Sequence, residues 1–188
     1  TMKTTKVLQT NVSLTNINEV SNILNTTKGN RIAICNANTL VRSVRNSTIA
    51  DLINNFTIKT PDGFPVAKAL SILTKQSFRR VDGYKVFLQT IKDGLEKNRS
   101  HYFFGSDVLT TELMIKNLKK EYPEIQISGY ICPEFMEPDQ LLEKYADEIK
   151  NIDADIVWVS LGFPKQEMFI DQVNRAMDIN SNFVGIGG

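Results

Sequence analysis

Three short clusters hold most of the residues in this chain that could do chemistry: Pro61-Asp62-Gly63, Arg79-Arg80-Val81-Asp82-Gly83 and Gly162-Phe163-Pro164-Lys165-Gln166-Glu167. Each stands at a turn that opens a helix-like stretch. A carboxylate held between a proline and a glycine can take a proton from a hydroxyl. Guanidinium groups grip phosphate oxygens two at a time, and a lysine beside a proline-led helix start adds positive charge where backbone amides already attract anions. Gln166 can donate and accept hydrogen bonds to a hydroxyl or a phosphate. If they converge on a single crevice, these groups suit a transferase that moves a group off an anionic phosphate carrier. Each cluster also has a plainer use. Pro-Asp-Gly is a turn, paired arginines are surface charge, and Glu167 complements the dipole of the helix it opens.

With 188 residues, 41% of them hydrophobic and 23% charged, the chain can bury a core as one domain or as two closely packed lobes. A formal net charge of +1 argues against a nucleic-acid footprint, so the expected anion is small and locally held. Cys35 and Cys132 form no C-x-x-C pair and read as reduced thiols of a cytosolic protein. His101 is the single histidine, too little material for a histidine triad or a multi-histidine metal site. No run approaches the ~18 apolar residues of a spanning helix, and the start lacks the apolar stretch of a signal peptide, so a soluble intracellular protein is expected.

The clusters need elements to hold them. Apolar runs alternating with turn signals predict a parallel sheet wrapped by helices. Strands are expected over residues 7–14, 31–35, 56–58, 102–104, 125–128, 156–160 and 183–186. Helices are expected over residues 17–24, capped by Asn16, and over 40–53, 65–73, 84–95, 109–120, 140–149 and 164–177. From residue 102 onward the order is a run of β-α units, whose connections are right-handed.

Ligands of such sheets lie beyond the carboxyl ends of the strands, so position tests each motif. Asp153-Ala154-Asp155 spells a pattern that can hold a metal between diphosphate oxygens, yet it precedes the strand over 156–160 and falls at the amino edge. It reads as solvated charge at a turn, and no metal is expected at the site. Gly105-Ser106-Asp107 follows a strand, and its glycine would let a nucleotide approach. Gly185-Ile186-Gly187-Gly188 looks like the start of a dinucleotide fingerprint, but no helix follows to complete it.

In series, Asn36-Ala37-Asn38 after a strand, Pro61-Asp62-Gly63, Arg80-Val81-Asp82-Gly83, Phe104-Gly105 and Leu161-Gly162-Phe163-Pro164-Lys165-Gln166-Glu167 resemble the signature series of the WecG/TagA/CpsF glycosyltransferases, over roughly residues 6–188. The resemblance implies inverting, metal-independent transfer of an N-acetylhexosamine-type sugar, N-acetylmannosamine favoured. The donor would be a UDP-sugar, with no other cofactor, and the acceptor a polyprenyl-diphosphate-linked sugar at the inner face of the cytoplasmic membrane. Products of such enzymes are wall teichoic acid or other surface polysaccharides. By the same resemblance Asp62 is the base, Arg80 contacts a diphosphate or acceptor phosphate, and Gln166 contacts sugar or phosphate. Asn36, Asn38, Gly63, Gly105, Gly162 and Lys165 fall in the donor pocket, and Phe135 lies where an aromatic meets the nucleobase. Asn36 stands where members often have threonine, which bears on donor selectivity. Members continue past the glycine-rich strand into an appendage that meets the membrane and supplies arginines, so this chain is expected to be a truncated form without it, leaving surface that self-association could cover.

Pattern and resemblance together give an α/β fold, a Rossmann-like parallel sheet flanked by helices, with a smaller N-terminal lobe of about residues 1–83 ahead of a Rossmann-like lobe of about 84–188. Asp62 is expected to be ionised at neutral pH with an ordinary carboxylate pKa near ~4. The alternatives are a non-catalytic nucleotide-sugar binder and a dinucleotide-dependent oxidoreductase.

Overall fold

A computed structural model describes residues 2–187. Six parallel strands form its main sheet in the order β4-β3-β8-β7-β5-β6. These are β3 (Arg31–Cys35), β4 (Ile58–Pro61), β5 (Ser100–Gly105), β6 (Gln126–Ile131), β7 (Ile156–Ser160) and β8 (Asn182–Gly185). Both faces are covered, so the central strands read as nearly continuous apolar runs. Along each strand the side chains alternate between two cores. Ile32, Phe103, Trp158 and Val184 pack with α1 (Ile17–Thr26), α5 (Gly83–Gly94) and α6 (Val108–Glu121) through Val20, Leu24, Val86, Ile91 and Leu118. Ala33, Phe104, Val157, Val159 and Phe183 face the other way, toward α3 (Ser47–Asn54), α7 (Pro138–Lys144), α8 (Ala146–Lys150) and α9 (Lys165–Ala176). The α/β class expected from sequence is what forms. Among the described residues no helix is long and apolar enough to cross a membrane.

Several boundaries differ from expectation, each for a local reason. The strand expected over 7–14 is a hairpin, β1 (Thr4–Val7) and β2 (Thr10–Ser13), turning at Leu8 with φ 55°. That turn carries neither glycine nor proline. The hairpin leans on the main sheet, where Lys59 N donates to Ser13 Oγ at 2.9 Å, and its Val7 and Val12 share a small third core with Leu40, Val66 and Leu70. The helix expected over 40–53 is two, α2 (Ala37–Arg45) and α3, because Asn46 leaves helical geometry and its Oδ1 accepts from Thr48 N and Ile49 N. The helix expected over 140–149 is likewise α7 followed by α8, and β4 begins at Ile58 rather than Phe56. Asn16 caps α1 as expected, accepting from Glu19 N at 2.9 Å.

The sheet runs through the proposed lobe boundary near residue 83, since β3 pairs with β8 at Arg31↔Phe183. After β5 the chain moves outward to β6, and after β7 it moves the opposite way to β8. The connections therefore diverge between β5 and β7, which opens a crevice at their carboxyl ends. His101, near the amino end of β5 and away from that crevice, is buried as a structural group. Its Nδ1 accepts from Trp158 Nε1 at 3.0 Å, and burial lowers its pKa to about 4.

Candidate active site

The in-register pairs Cys35↔Pro61, Val159↔Gly185 and Gly105↔Ser160 bring the carboxyl ends of β3, β4, β5, β7 and β8 to one rim. Asp62 leaves the end of β4 and is pinned at once, its N donating to the Cys35 carbonyl at 2.8 Å and to that of Thr60 at 3.0 Å. Gly63, with φ 85°, then turns the chain into α4 (Phe64–Thr74). The Asp62 carboxyl is half-buried. Desolvation is the main cause holding its pKa above the ordinary carboxylate value, and Asp82 adds to the rise, against the Gly63 amide and Arg80. The unperturbed pKa expected from sequence is thereby corrected, and in the direction that suits a base.

The arginine cluster reaches Asp62 through the backbone. Val81 is buried and its N donates to the Pro61 carbonyl at 2.7 Å, while Asp82 caps α5 by accepting from Tyr84 N and Lys85 N. A Cβ on Gly83 would stand 3.6 Å from Ile34 and 4.0 Å from the Ile186 carbonyl, so this loop lies over the ends of β3 and β8. Arg79 and Arg80 are left exposed.

Gln166 meets the same region from the other side. It is buried, and its Oε1 accepts from Gly187 N at 3.0 Å, tying the start of α9 to the chain after β8. Its neighbour was the surprise. Expected at the helix start as a complement to the dipole, Glu167 is only 2% exposed, with Oε1 lacking any hydrogen-bond partner among the described residues. Burial raises its pKa to about 7. Gly185 makes the space, since a Cβ there would sit 3.1 Å from Glu167 Oε2. The signal available in the sequence was a glycine in an otherwise bulky buried strand, read there as a dinucleotide fingerprint. Burial pushes the Cys35 thiol up, with the Glu167 charge next in weight, so a thiol and a carboxyl share the ground beneath the rim.

The remaining candidates divide. Asn36 spends its Oδ1 on Thr39 N at 3.0 Å as the N-cap of α2, whereas the side chain of Asn38, the second residue of the helix and exposed, has no such bond among the described residues. Lys165 Nζ sits 3.8 Å from the centroid of the Phe135 ring, and that ring is otherwise 93% exposed. Gly162, with φ 79°, opens the loop before Pro164, which stands at the N-cap of α9, one residue earlier than the first helical position. At Gly105, with φ 120°, a Cβ would fall 2.1 Å from the Ser160 carbonyl, so close packing of β5 against β7 alone requires glycine.

The rim is shared, but the cavities are separate. A groove of about 1020 Å³ takes in Arg80 without Asp62 or Gln166, and a pocket of about 140 Å³ takes in Gly105 with Ser160 and Ile186. The end of β4, which carries Asp62, and the end of β7, from which the chain runs on to Lys165, are three strand spacings apart, about 14 Å. At the opposite edge Asp155 is committed to structure, with Oδ1 3.3 Å from an Arg99 guanidinium nitrogen and Oδ2 accepting from Ser100 N and Oγ.

Three relatives give this geometry a context. Each is an N-acetylglucosaminyldiphosphoundecaprenol N-acetyl-beta-D-mannosaminyltransferase. That of Bacillus spizizenii is 27% identical over 165 residues, covering 88% of this chain and 62% of the relative. That of Bacillus subtilis is 24% identical over 157 residues, covering 84% and 59%. That of Staphylococcus aureus is 27% identical over 141 residues, covering 73% and 52%. This chain thus spans between about half and six-tenths of the length of the curated relatives it matches. The match to the family described as Glycosyl transferase WecG/TagA/CpsF runs from residue 5 to residue 188, leaves no room for the dinucleotide-dependent oxidoreductase reading, and makes this chain a member of that family.

Proposed function

We propose that the protein of which this chain is the catalytic core transfers an N-acetylhexosamine-type sugar, N-acetylmannosamine first among them, from UDP to a polyprenyl-diphosphate-linked sugar. The observation that carries this reading is Asp62: a half-buried carboxyl of raised pKa, fixed at the carboxyl edge of a parallel sheet beside Arg80. The names of the relatives supply the sugar and the acceptor.

In the proposed step Asp62 takes the proton of the acceptor hydroxyl as that oxygen bonds to the anomeric carbon from the face opposite UDP. The bond from that carbon to the diphosphate oxygen breaks, and its electron pair leaves with UDP. Lys165 and the amides opening α9 would offset the charge that develops on the leaving diphosphate, the largest kind of contribution in such sites, while Arg80, beside Asp62, serves a phosphate of the acceptor. No metal and no cofactor beyond the donor itself enters this scheme. A membrane-linked acceptor would set the reaction at the inner face of the cytoplasmic membrane, with the protein held there peripherally, and a homo-oligomer is compatible with the exposed apolar surface of α4 to α6. The test is transfer of radiolabelled sugar from UDP to a short-chain lipid diphosphate acceptor by the complete protein and by its Asp62→Asn variant. Loss of transfer with UDP binding intact is expected, and retained transfer removes Asp62 from the mechanism.

A further inference from the structure

The groove of about 1020 Å³ lies between α1, α4 and α5 and opens one residue past the Asp62-Gly63 turn, at Phe64. Its lining is lopsided. Lys68, Arg79, Arg80 and Lys85 give it four cations, and no aspartate or glutamate is among the lining residues. Beside them are apolar walls from Ile17, Phe64 and Phe78, and Phe64 remains 66% exposed with Lys68 Nζ 5.5 Å from its ring centroid.

A small inorganic anion would use the cations and leave an aromatic wall bare to water, and a hydrocarbon alone would leave four cations without counter-charge. A ligand with a diphosphate at one end and an apolar chain at the other uses both. We infer that this groove seats the isoprenoid diphosphate of the acceptor, with the diphosphate against Arg79, Arg80, Lys68 and Lys85 and the prenyl chain along Phe64 and Phe78. This rests on the glycosyltransferase reading above and assigns that reading its second substrate site. Continuity supports the assignment, because Arg80 lines the groove while Val81, next in the chain, is hydrogen-bonded to Pro61, so a diphosphate held here presents its sugar toward Asp62. The volume lies at the upper end of the range for small-molecule sites.

Equilibrium dialysis of the chain against radiolabelled farnesyl diphosphate tests it, with inorganic pyrophosphate and farnesol as competitors. Saturable binding is expected, at least tenfold tighter than for either competitor. The double variant Lys68→Glu, Lys85→Glu should weaken binding tenfold or more while UDP binding and the thermal midpoint hold. Phe64→Ser should weaken farnesyl diphosphate and leave pyrophosphate unchanged, which separates the apolar wall from the charge. Affinity unchanged in the charge-reversed variant overturns the assignment. So does binding by this chain that is absent in the complete protein, since a segment of the protein itself would then fill the groove. Farnesyl diphosphate bound as expected, with no sugar transferred by the complete protein from any UDP donor, counts against the proposed reaction and leaves the groove assignment standing.

Discussion

Asp62 and Asp155 stand at opposite edges of one sheet. Asp155, at the amino edge, has its carboxylate oxygens taken up by Arg99 and by the backbone and hydroxyl of Ser100. Asp62, at the carboxyl edge, has its backbone fixed just as firmly, yet its carboxyl is partly desolvated and faces a second carboxylate, Asp82. The same residue type serves stability where its partners saturate it and chemistry where they do not. Buried Glu167, with one oxygen unpartnered among the described residues, follows the pattern of Asp62. Unsatisfied groups of this kind mark functional sites in physical terms, because burial and repulsion are what shift a pKa.

The contrast breaks most visibly through turnover. Asp62→Asn should lower sugar transfer by the complete protein roughly 10²- to 10⁴-fold, the usual worth of a general base, with the thermal midpoint unchanged. Asp155→Ala should do the reverse. Removing it takes the carboxylate partner from the largely buried Arg99, which keeps its bonds to the Leu24 and Thr27 carbonyls, and should cost about 2 kcal/mol in denaturant unfolding, while transfer per folded molecule stays within about twofold.

Glu167→Gln sharpens the comparison through pH. A carboxyl raised from an ordinary 4.5 to about 7 binds its proton more tightly when folded. Its contribution to stability is therefore fully present below pH 4.5 and is lost as pH rises through 7. Glutamine mimics the protonated form, so the variant should be more stable than the parent at pH 8, by at most about 3 kcal/mol, and no more stable at pH 4. His101 runs the other way: its pKa, lowered from 6.5 to about 4, costs stability as pH falls below 6.5. Across that window the stability of Glu167→Gln should rise with pH, whereas the parent's slopes partly cancel. An unaltered pH profile would show Glu167 to be hydrated rather than buried. The smallest effect separates two asparagines. Asn36→Ala removes a helix cap and should cost about 1 kcal/mol, while Asn38→Ala should leave stability within about 0.5 kcal/mol and weaken UDP binding instead.

Much of this was legible in the chain itself. The strands over 31–35 and 156–160 are apolar runs that only a two-sided sheet needs, and Asn16 announces a helix start. The clusters at Asp62 and Gln166 follow strands, so their shared rim could be read from order alone, whereas Arg80 follows the helix α4 and is brought to the rim by the Val81–Pro61 hydrogen bond. What escaped depended on partners distant in sequence or on turns without marked chemistry. Leu8 turns a hairpin with no glycine to signal it, and Asn46 interrupts an amphipathic run that stays in phase on either side. Glu167 can be buried only because Gly185 lacks a side chain, a fact that belongs to the pair. The raised pKa of Asp62 depends first on burial in the folded chain and then on Asp82, twenty residues away and brought near by a backbone hydrogen bond from Val81.

The placement of β8 bears on how the protein is made. It is the last strand in chain order among the described residues, yet it lies between β3 and β7. During synthesis the pair β4-β3 and the trio β7-β5-β6 therefore emerge with no strand to bridge them, and the flank of β3 waits with unpaired backbone until residues 182–185 leave the ribosome. Final closure is a late event of long sequence separation, slow by its topology, and the nascent chain until then carries two open edges of the kind that chaperones bind and that seed aggregation.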